Sequence, residues 1–542
     1  MSESQPPERW VVRNVIRELG DSDETVLQRA CEKAEIPRQA VMDWAITRRS
    51  IDARGSRPPR FQLSIALVVE GHAVSASPGG EISKEASVTR PFMATLAPDA
   101  ARPVIIGFGP AGLFAALHLA ECGLRPIVIE RGQPVEIRAK DVSKLMGQGE
   151  INPESNLCYG EGGAGTWSDG KLYTRINSPW IRHGLEQFVR FGAPEDLLVS
   201  ARPHMGTDRL VKLLKNSRAA LIAAGCEIRF GEKAVSFERD SADQVRAVRL
   251  ESGERVEASH VIFAAGHSAR DMYRWLRDEK VALAPKPFAV GFRIEHPQAL
   301  IDEAQYGQWA DHEDLPAAYY ELTTTLPKHD QRGVYSFCMC PGGSVVPTPT
   351  REGEVCVNGM SHAARSGRYA NSALVVTVSP QDARRWSGSD DVLCGVEFQE
   401  KVERAAYDAG GGAFVAPAQR MVDFMAGRAS KEVRRTTYKR GVQTSSLDRL
   451  YPGELIDTMK TGSRLFDQRL KGFISDEAVL IGVETRTSAP VTILRDPKSL
   501  ESPSLARFYP CGEGAGYGGG IMSAALDGLR VAVKIVEELA GE

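Results

Sequence analysis

Apolar runs separated by glycine-rich breaks recur along the chain, and the changing period of those runs divides it into units. Near the start, Trp10-Val-Val-Arg-Asn-Val-Ile-Arg and Trp44-Ala-Ile-Thr-Arg-Arg-Ser-Ile predict strands, and 61–69 alternates like a third. Between them 23–34 has helical spacing, opened by Ser22 or Asp23. Together these predict a small α+β domain of ferredoxin-like character. Residues 72–102, rich in Ser, Ala, Gly and Pro, form a connector. From Val104 the texture changes to short buried strands and a helix pattern at 113–123, then to strand-like runs at 126–129, 225–231, 234–237, 245–250 and 261–265. A stretch of different texture follows, with strands predicted at 288–294, 345–346 and 373–378 and a helix at 392–410, before glycine-rich and apolar sequence returns at 480–542.

The chemistry starts at Val104-Ile-Ile-Gly-Phe-Gly-Pro-Ala-Gly, an apolar run followed by Gly107, Gly109 and Gly112 in G-x-G-x-x-G spacing. Gly107 permits the tight turn, Gly109 admits a pyrophosphate to the backbone, and Gly112 lets helix and strand pack closely. The next apolar run ends at Glu130, where an acid meets a ribose hydroxyl of an adenine dinucleotide. Gly160-Glu-Gly-Gly-Ala-Gly-Thr-Trp-Ser-Asp-Gly-Lys171 offers successive N–H groups as a nest for phosphate or carbonyl oxygens. Val261-Ile-Phe-Ala-Ala-Gly is a buried strand whose end is kept small at Ala265 and Gly266. Cys511-Gly-Glu-Gly-Ala-Gly-Tyr-Gly-Gly-Gly-Ile-Met leads into a helix near Ile521, whose N-terminus favours negative charge.

These segments, with Glu130-Arg131-Gly132 and Phe337-Cys-Met-Cys-Pro-Gly-Gly343, resemble the bacterial and plastid FAD-dependent dehydrogenase family of the glutathione-reductase-like flavoprotein superfamily. The resemblance implies FAD in a discontinuous Rossmann-type α/β domain with an inserted α+β cap. On that basis residues 1–95 are the small N-terminal domain and linker, 96–285 the first FAD-binding segment, 286–475 the cap and 476–542 the closing segment. The positions assigned to FAD are Gly107, Gly109, Pro110, Ala111, Gly112, Glu130 and Arg131. Gly162, Gly163, Ala164, Gly165, Trp167 and Ser168 follow in the second loop. Val235, Ala265, Gly266, Gly512, Glu513, Gly520, Ile521 and Met522 complete the set.

Length and composition fit this picture. At 542 residues the chain exceeds one ordinary core. Its 42% hydrophobic and 25% charged content is that of a globular enzyme, and a formal net charge of −3 gives no global case for nucleic acid or membrane. The opening residues, with no basic n-region or apolar h-region, predict no export, and Val104 to Leu124, long enough for a bilayer, is broken by glycines, Pro110, His118 and Glu121. Nine scattered cysteines without C-x-x-C suggest reduced thiols and a cytoplasmic location, and the ten histidines form no metal-ligand spacing.

Candidates for catalysis lie in the cap and, with Arg486, at the start of the closing segment. Cys338 and Cys340 share one face if their strand is extended, either as a thiol relay or as small buried hydrophobes. Asn358, Ser361, His362 and Arg365 could orient a carboxylate or carbonyl, with His362 donating a proton, and Arg486 suits an anionic substrate or the flavin phosphate. His267 is read as a loop residue. The expected activity is an oxidoreductase passing a hydride through flavin N5 to or from a small-molecule substrate, with NAD(P)H as a transient reductant. Two alternatives stand beside it. One is an RNA-modifying flavoprotein that holds tRNA through Arg48, Arg49, Arg54, Arg57 and Arg60, and the other is a non-catalytic assembly or sensor protein that retains FAD as structure.

Overall fold

The computed structural model describes residues 8–55, 57–70, 74–97 and 102–541, so most of the N-terminal segment searched for a leader lies outside them. The first unit is a four-stranded antiparallel sheet, ordered Val41–Asp52, Arg60–Val69, Glu8–Glu18, Ile82–Lys84. Helix Asp23–Ala34 buries Val26, Leu27, Ala30 and Cys31 against it, and the Ser22 hydroxyl caps the helix by accepting the Thr25 N–H. A ferredoxin-like domain needs a second helix, and among the described residues none follows the third strand. Pro78, Gly79 and Gly80 break the chain there, so this unit keeps the four antiparallel strands of the expected pattern and one of its two helices.

The second unit is a five-stranded parallel sheet in the order Phe508–Pro510, Val261–Phe263, Val104–Ile106, Ile127–Glu130, Glu227–Phe230. Its central strands are buried on both faces, as their unbroken apolar sequences require. Helices Pro110–Glu121 and Ile521–Ala540 pack together on one face. Phe92, Ala94 and Leu96 lie against that core, so the connector's end belongs to it. The other face is covered by helix Arg270–Asp278 and the antiparallel strands Ala234–Arg239, Val245–Leu250 and Arg255–Glu257.

The inserted unit is built on seven strands, ordered Leu322–Leu326, Arg332–Ser336, Tyr369–Val378, Phe288–Pro297, Val479–Glu484, Ala416–Arg420, Val442–Thr444. Helices Cys394–Gly410 and Gly453–Arg469 contribute to its core. Val479–Glu484 pairs with Phe288–Pro297 and Ala416–Arg420, so this unit extends past residue 475 and the chain returns to the parallel sheet only at Phe508–Pro510. Among the described residues no helix is long and apolar enough to cross a membrane.

Candidate functional site

A cavity lies where the carboxyl ends of the parallel strands meet the inserted sheet, and glycines shape its narrow end. Gly107 has φ +100°, and a Cβ there would sit 2.4 Å from the Ala264 carbonyl oxygen. Gly109, the N-cap of helix Pro110–Glu121, has nothing nearer its missing Cβ than Gly163 Cα at 3.8 Å, which leaves the backbone open to a ligand. The helix contributes N–H groups without intrahelical partners at that point. Glu130 joins two glycine loops: one oxygen accepts the Phe108 N–H at 2.8 Å, the other the Gly132 and Gly160 N–H groups at 2.9 Å. With three bonds made, the carboxylate retains capacity for a ribose hydroxyl.

The second loop is held from behind by Arg138, which is fully buried. Its guanidinium donates to the carbonyls of Asn156 at 2.8 Å, Glu161 at 2.6 Å, Gly163 at 2.9 Å and Gly160 at 3.2 Å. Burial pushes its pKa down to about 10, against the pull of Glu130, so it remains a cation at neutral pH. In the closing segment Asp527 pairs with Arg495 at 2.6 Å and accepts the Gly512 N–H at 2.8 Å, while Gly519, Gly520, Ile521 and Ala524 bring the N-terminal end of the last helix to the cavity. This cradle, open at the bare Gly109 backbone, with two helix N-termini and a partly satisfied carboxylate, fits an adenine dinucleotide such as FAD.

Most of the sequence-assigned residues meet here. Gly107, Gly109, Pro110, Ala111, Glu130, Arg131, Gly163, Ala164, Gly165, Ser168, Ala265, Gly266, Gly512, Glu513, Gly520 and Ile521 line the cavity, as do Cys338, Cys340, Asn358 and Arg486. Five assigned positions do not line it. Gly112 lies behind the turn, where a Cβ would be 2.0 Å from the Gly107 oxygen, and Gly162 faces Thr166 and Leu214. Trp167 is stacked on the Arg138 guanidinium at 4.5 Å. Val235 points outward while its strand neighbour Ala234 faces in, and Met522 is buried in the helix packing. Glu513, half-buried in the cavity wall near Lys286, has its pKa pushed up to about 7 by desolvation, which Lys286 only partly offsets.

The catalytic candidates separate. The His362 side chain is 71% exposed beside Asp208, outside the cavity. Arg365 lies next door, bound to Asp169. Arg486 reaches the cavity wall, but its guanidinium is engaged by Glu403 at 2.7 and 3.1 Å, Thr350 at 3.2 Å and Glu354 at 3.4 Å. Arg270 binds the same Glu403 at 2.6 and 2.9 Å, so the four charges lock helix Arg270–Asp278 to Cys394–Gly410 and leave Arg486 no free donor pair for an anion. His267, next to these arginines, is held neutral: burial, then Arg486 and Arg270, push its pKa down to about 4.

The two cysteines do not share one strand face. Cys338 has φ +51°, which ends the extended run, and Cys340 resumes it by bridging to Asn371. Cys338 is exposed to this cavity and to a second one beside it, and desolvation by the surrounding protein pushes its thiol up to about 11. Cys340 is buried and its sulfur accepts from Arg293 at 3.3 Å.

Arg293, Glu484, Asp169, Lys171 and Arg138 are the residues that the sequence reading passed over. Arg293 is fully buried, pairs with Glu484 at 3.1 Å, and donates to Asn371 at 2.7 Å and the Cys338 carbonyl at 2.5 Å. Its signal was a lone charge inside the apolar run Phe288-Ala-Val-Gly-Phe-Arg-Ile, and Glu484 likewise ends an apolar strand. Lys171 donates to the Met339 carbonyl and lies 3.4 Å from Asp169. Burial opposes the charge on Asp169, but Lys171 and Arg365 outweigh it and hold the carboxyl below its usual range.

Comparison with known proteins bears on the same two halves. Residues 102–144 match a FAD-binding domain model, 287–487 match the model "FAD-dependent protein, C-terminal domain-like", and 15–68 match a domain of unknown function. An uncharacterized protein of Clostridium beijerinckii is 40% identical over 534 residues, covering 97% of this chain and 98% of the relative. Among solved structures, CtdE in complex with FAD is 12% identical over 80% of this chain and 84% of its own, with a TM-score of 0.30. The flavin-dependent brominase Bmp2 is 12% identical over 82% and 80%, with a TM-score of 0.37. Likenesses this weak carry no argument about the reaction. With 40% identity along nearly its whole length and FAD-dependent models matching on both sides of the cavity, the chain belongs to the family of that clostridial protein, a family of FAD-dependent proteins.

Proposed function

We propose that the protein is an FAD-dependent oxidoreductase that passes a hydride between flavin N5 and a small-molecule substrate held between the parallel sheet and the inserted unit. The observation that carries this reading is the polar cluster facing the glycine cradle. Lys171 and Asp169 from one side and Cys338, Cys340, Asn358 and Glu484 from the other line a single cavity, which a protein keeping FAD only as structure does not need. FAD, when bound, supplies two-electron acceptance and donation. The chain supplies the rest. The Arg293–Glu484 pair fixes the wall, Lys171 presents a positive charge that Asp169 sustains against burial, and the last helix directs its positive end into the cavity.

Against the RNA reading, three of the five arginines in the run, Arg54, Arg57 and Arg60, gather on Asp52 at 2.7, 2.9 and 3.8 Å. The deciding experiment is anaerobic titration of the FAD-loaded protein with NADH, NADPH and a panel of small organic acids, alcohols and amines. Bleaching of the visible flavin band by one of them is expected. A flavin reduced by dithionite alone would sink the proposal in favour of a structural role.

A further inference from the structure

A second cavity adjoins the first, and Lys171, Phe337 and Cys338 belong to both, so these three side chains form a partition between the cradle and a neighbouring chamber. One wall of that chamber is the N-terminal domain, through Arg49, Ser50, Ile51 and Phe61. The domain is seated there by specific bonds. The Arg49 N–H donates to the Val199 carbonyl at 2.7 Å, the Ala201 N–H donates to the Arg49 carbonyl at 2.9 Å, and the Gly20 N–H reaches the Asp314 carboxylate at 2.8 Å. Ile51 and Ala53 pack on the inserted core while Leu315 packs on the N-terminal one.

The partition carries surplus positive charge. Asp169 is the single carboxylate shared by Lys171 and Arg365, two cations to one anion. Lys171 has three donors, of which the Met339 carbonyl and Asp169 take two. Farther out the chamber is mixed. Asp196, Glu313 and Asp314 stand against Arg49 and Arg209, whose side chains have no carboxylate partner among the described residues. Between these lies an aromatic stretch where Arg202, matched by Glu321 at 3.1 Å, covers the rings of Tyr173 and Tyr319 at 5.3 and 4.5 Å.

We infer that this chamber is the outer part of the substrate site, meeting the cradle cavity at Lys171, Phe337 and Cys338, and that it takes an organic acid with an aromatic or unsaturated body, its carboxylate drawn to Lys171 at the partition. The inference rests on the oxidoreductase reading above, and it makes the N-terminal domain one wall of the substrate site.

Cys338 is a natural reporter, since its exposed side chain lines the chamber beside Lys171 as well as the cradle. The full-length, FAD-loaded protein is treated with iodoacetate or iodoacetamide, and labelling of Cys338 is followed by peptide mass spectrometry, each rate normalised to glutathione. The thiolate displaces iodide in both cases, so the ratio reports only the field at the thiol. Iodoacetate should be favoured about tenfold, and Lys171→Met should remove the preference. Ser50→Trp and Ala317→Trp, which narrow the chamber from opposite walls, should each slow both reagents about tenfold while the bound-flavin spectrum is unchanged. A normalised ratio of one or less in the wild type, or wild-type rates in the tryptophan variants that retain FAD, would overturn the inference. The wild-type ratio needs no variant to fold. These rates do not depend on turnover, so a holoprotein that no metabolite bleaches would remove the redox reading and leave an anion-selective chamber standing.

Discussion

Arg138→Met tests whether FAD affinity is set by a residue that never touches the cavity. The substitution keeps an unbranched side chain of similar length in the interior and removes a guanidinium that satisfies four loop carbonyls between Asn156 and Gly163. Each buried group left without its partner costs about 1–3 kcal/mol, or about 4 kcal/mol for four at the low end. Relief from burying the charge offsets part of that, leaving a net of about 3 kcal/mol. Gly163, Ala164, Gly165 and Ser168 of this loop line the cavity, so a loop released in the apoprotein must be reordered by the cofactor. At 1.4 kcal/mol per tenfold, the FAD dissociation constant should rise about a hundredfold. The assay is quenching of flavin fluorescence on titrating apoprotein, with Arg138→Lys as the partner variant. Lysine keeps the charge without the fork and should fall between the two. Wild-type affinity in Arg138→Met, with the fold intact by circular dichroism, would refute the argument.

Three further outcomes follow from the geometry. Gly109→Val combined with Glu130→Ala should yield colourless protein, since a branched side chain enters the open backbone face and the carboxylate joining both loops is gone; stoichiometric FAD after purification would exclude this cradle. Cys338→Ala with Cys340→Ala should lower stability by about 1–2 kcal/mol and leave flavin reduction by the best reductant near wild type, because burial raises both thiols; lost reduction together with a fast-alkylating thiolate near pH 7 would show a redox pair. Glu513 is ordinarily at 4.5 and is raised to about 7 in the folded protein, so the folded state binds the extra proton between those values and apoprotein stability should fall as pH rises from 4.5 to 7, by about 3 kcal/mol from this group. Glu513→Gln should flatten that part of the melting-temperature profile, and an unchanged slope would reject the assignment.

The sequence by itself determined the cofactor cradle. The roles of Gly107, Gly109, Gly112 and Glu130 follow from local spacing, because a tight turn between a strand and a helix is made by residues that are neighbours in the chain. Strand and helix positions from Val104 to Glu130 and at Ile521 were legible for the same reason, since apolar runs bounded by glycine leave few alternatives. What depends on pairing between distant segments was not legible. Ala234 rather than Val235 faces the cavity because strand register decides the face, and a one-residue change inverts it. Arg486 looked free for an anion until folding brought Glu403 and Glu354 to it, and Cys338 left the shared face when its backbone turned left-handed. Arg138, Arg293 and Lys171 gain their roles only from carbonyls and carboxylates far along the chain, and the N-terminal domain becomes a wall of the second chamber only once Arg49 meets Val199 and Ala201. Short-range conformational preference acts between chain neighbours and can be read from their order. Burial, charge pairing and cavity shape are properties of neighbours in space, and only the tertiary structure decided them.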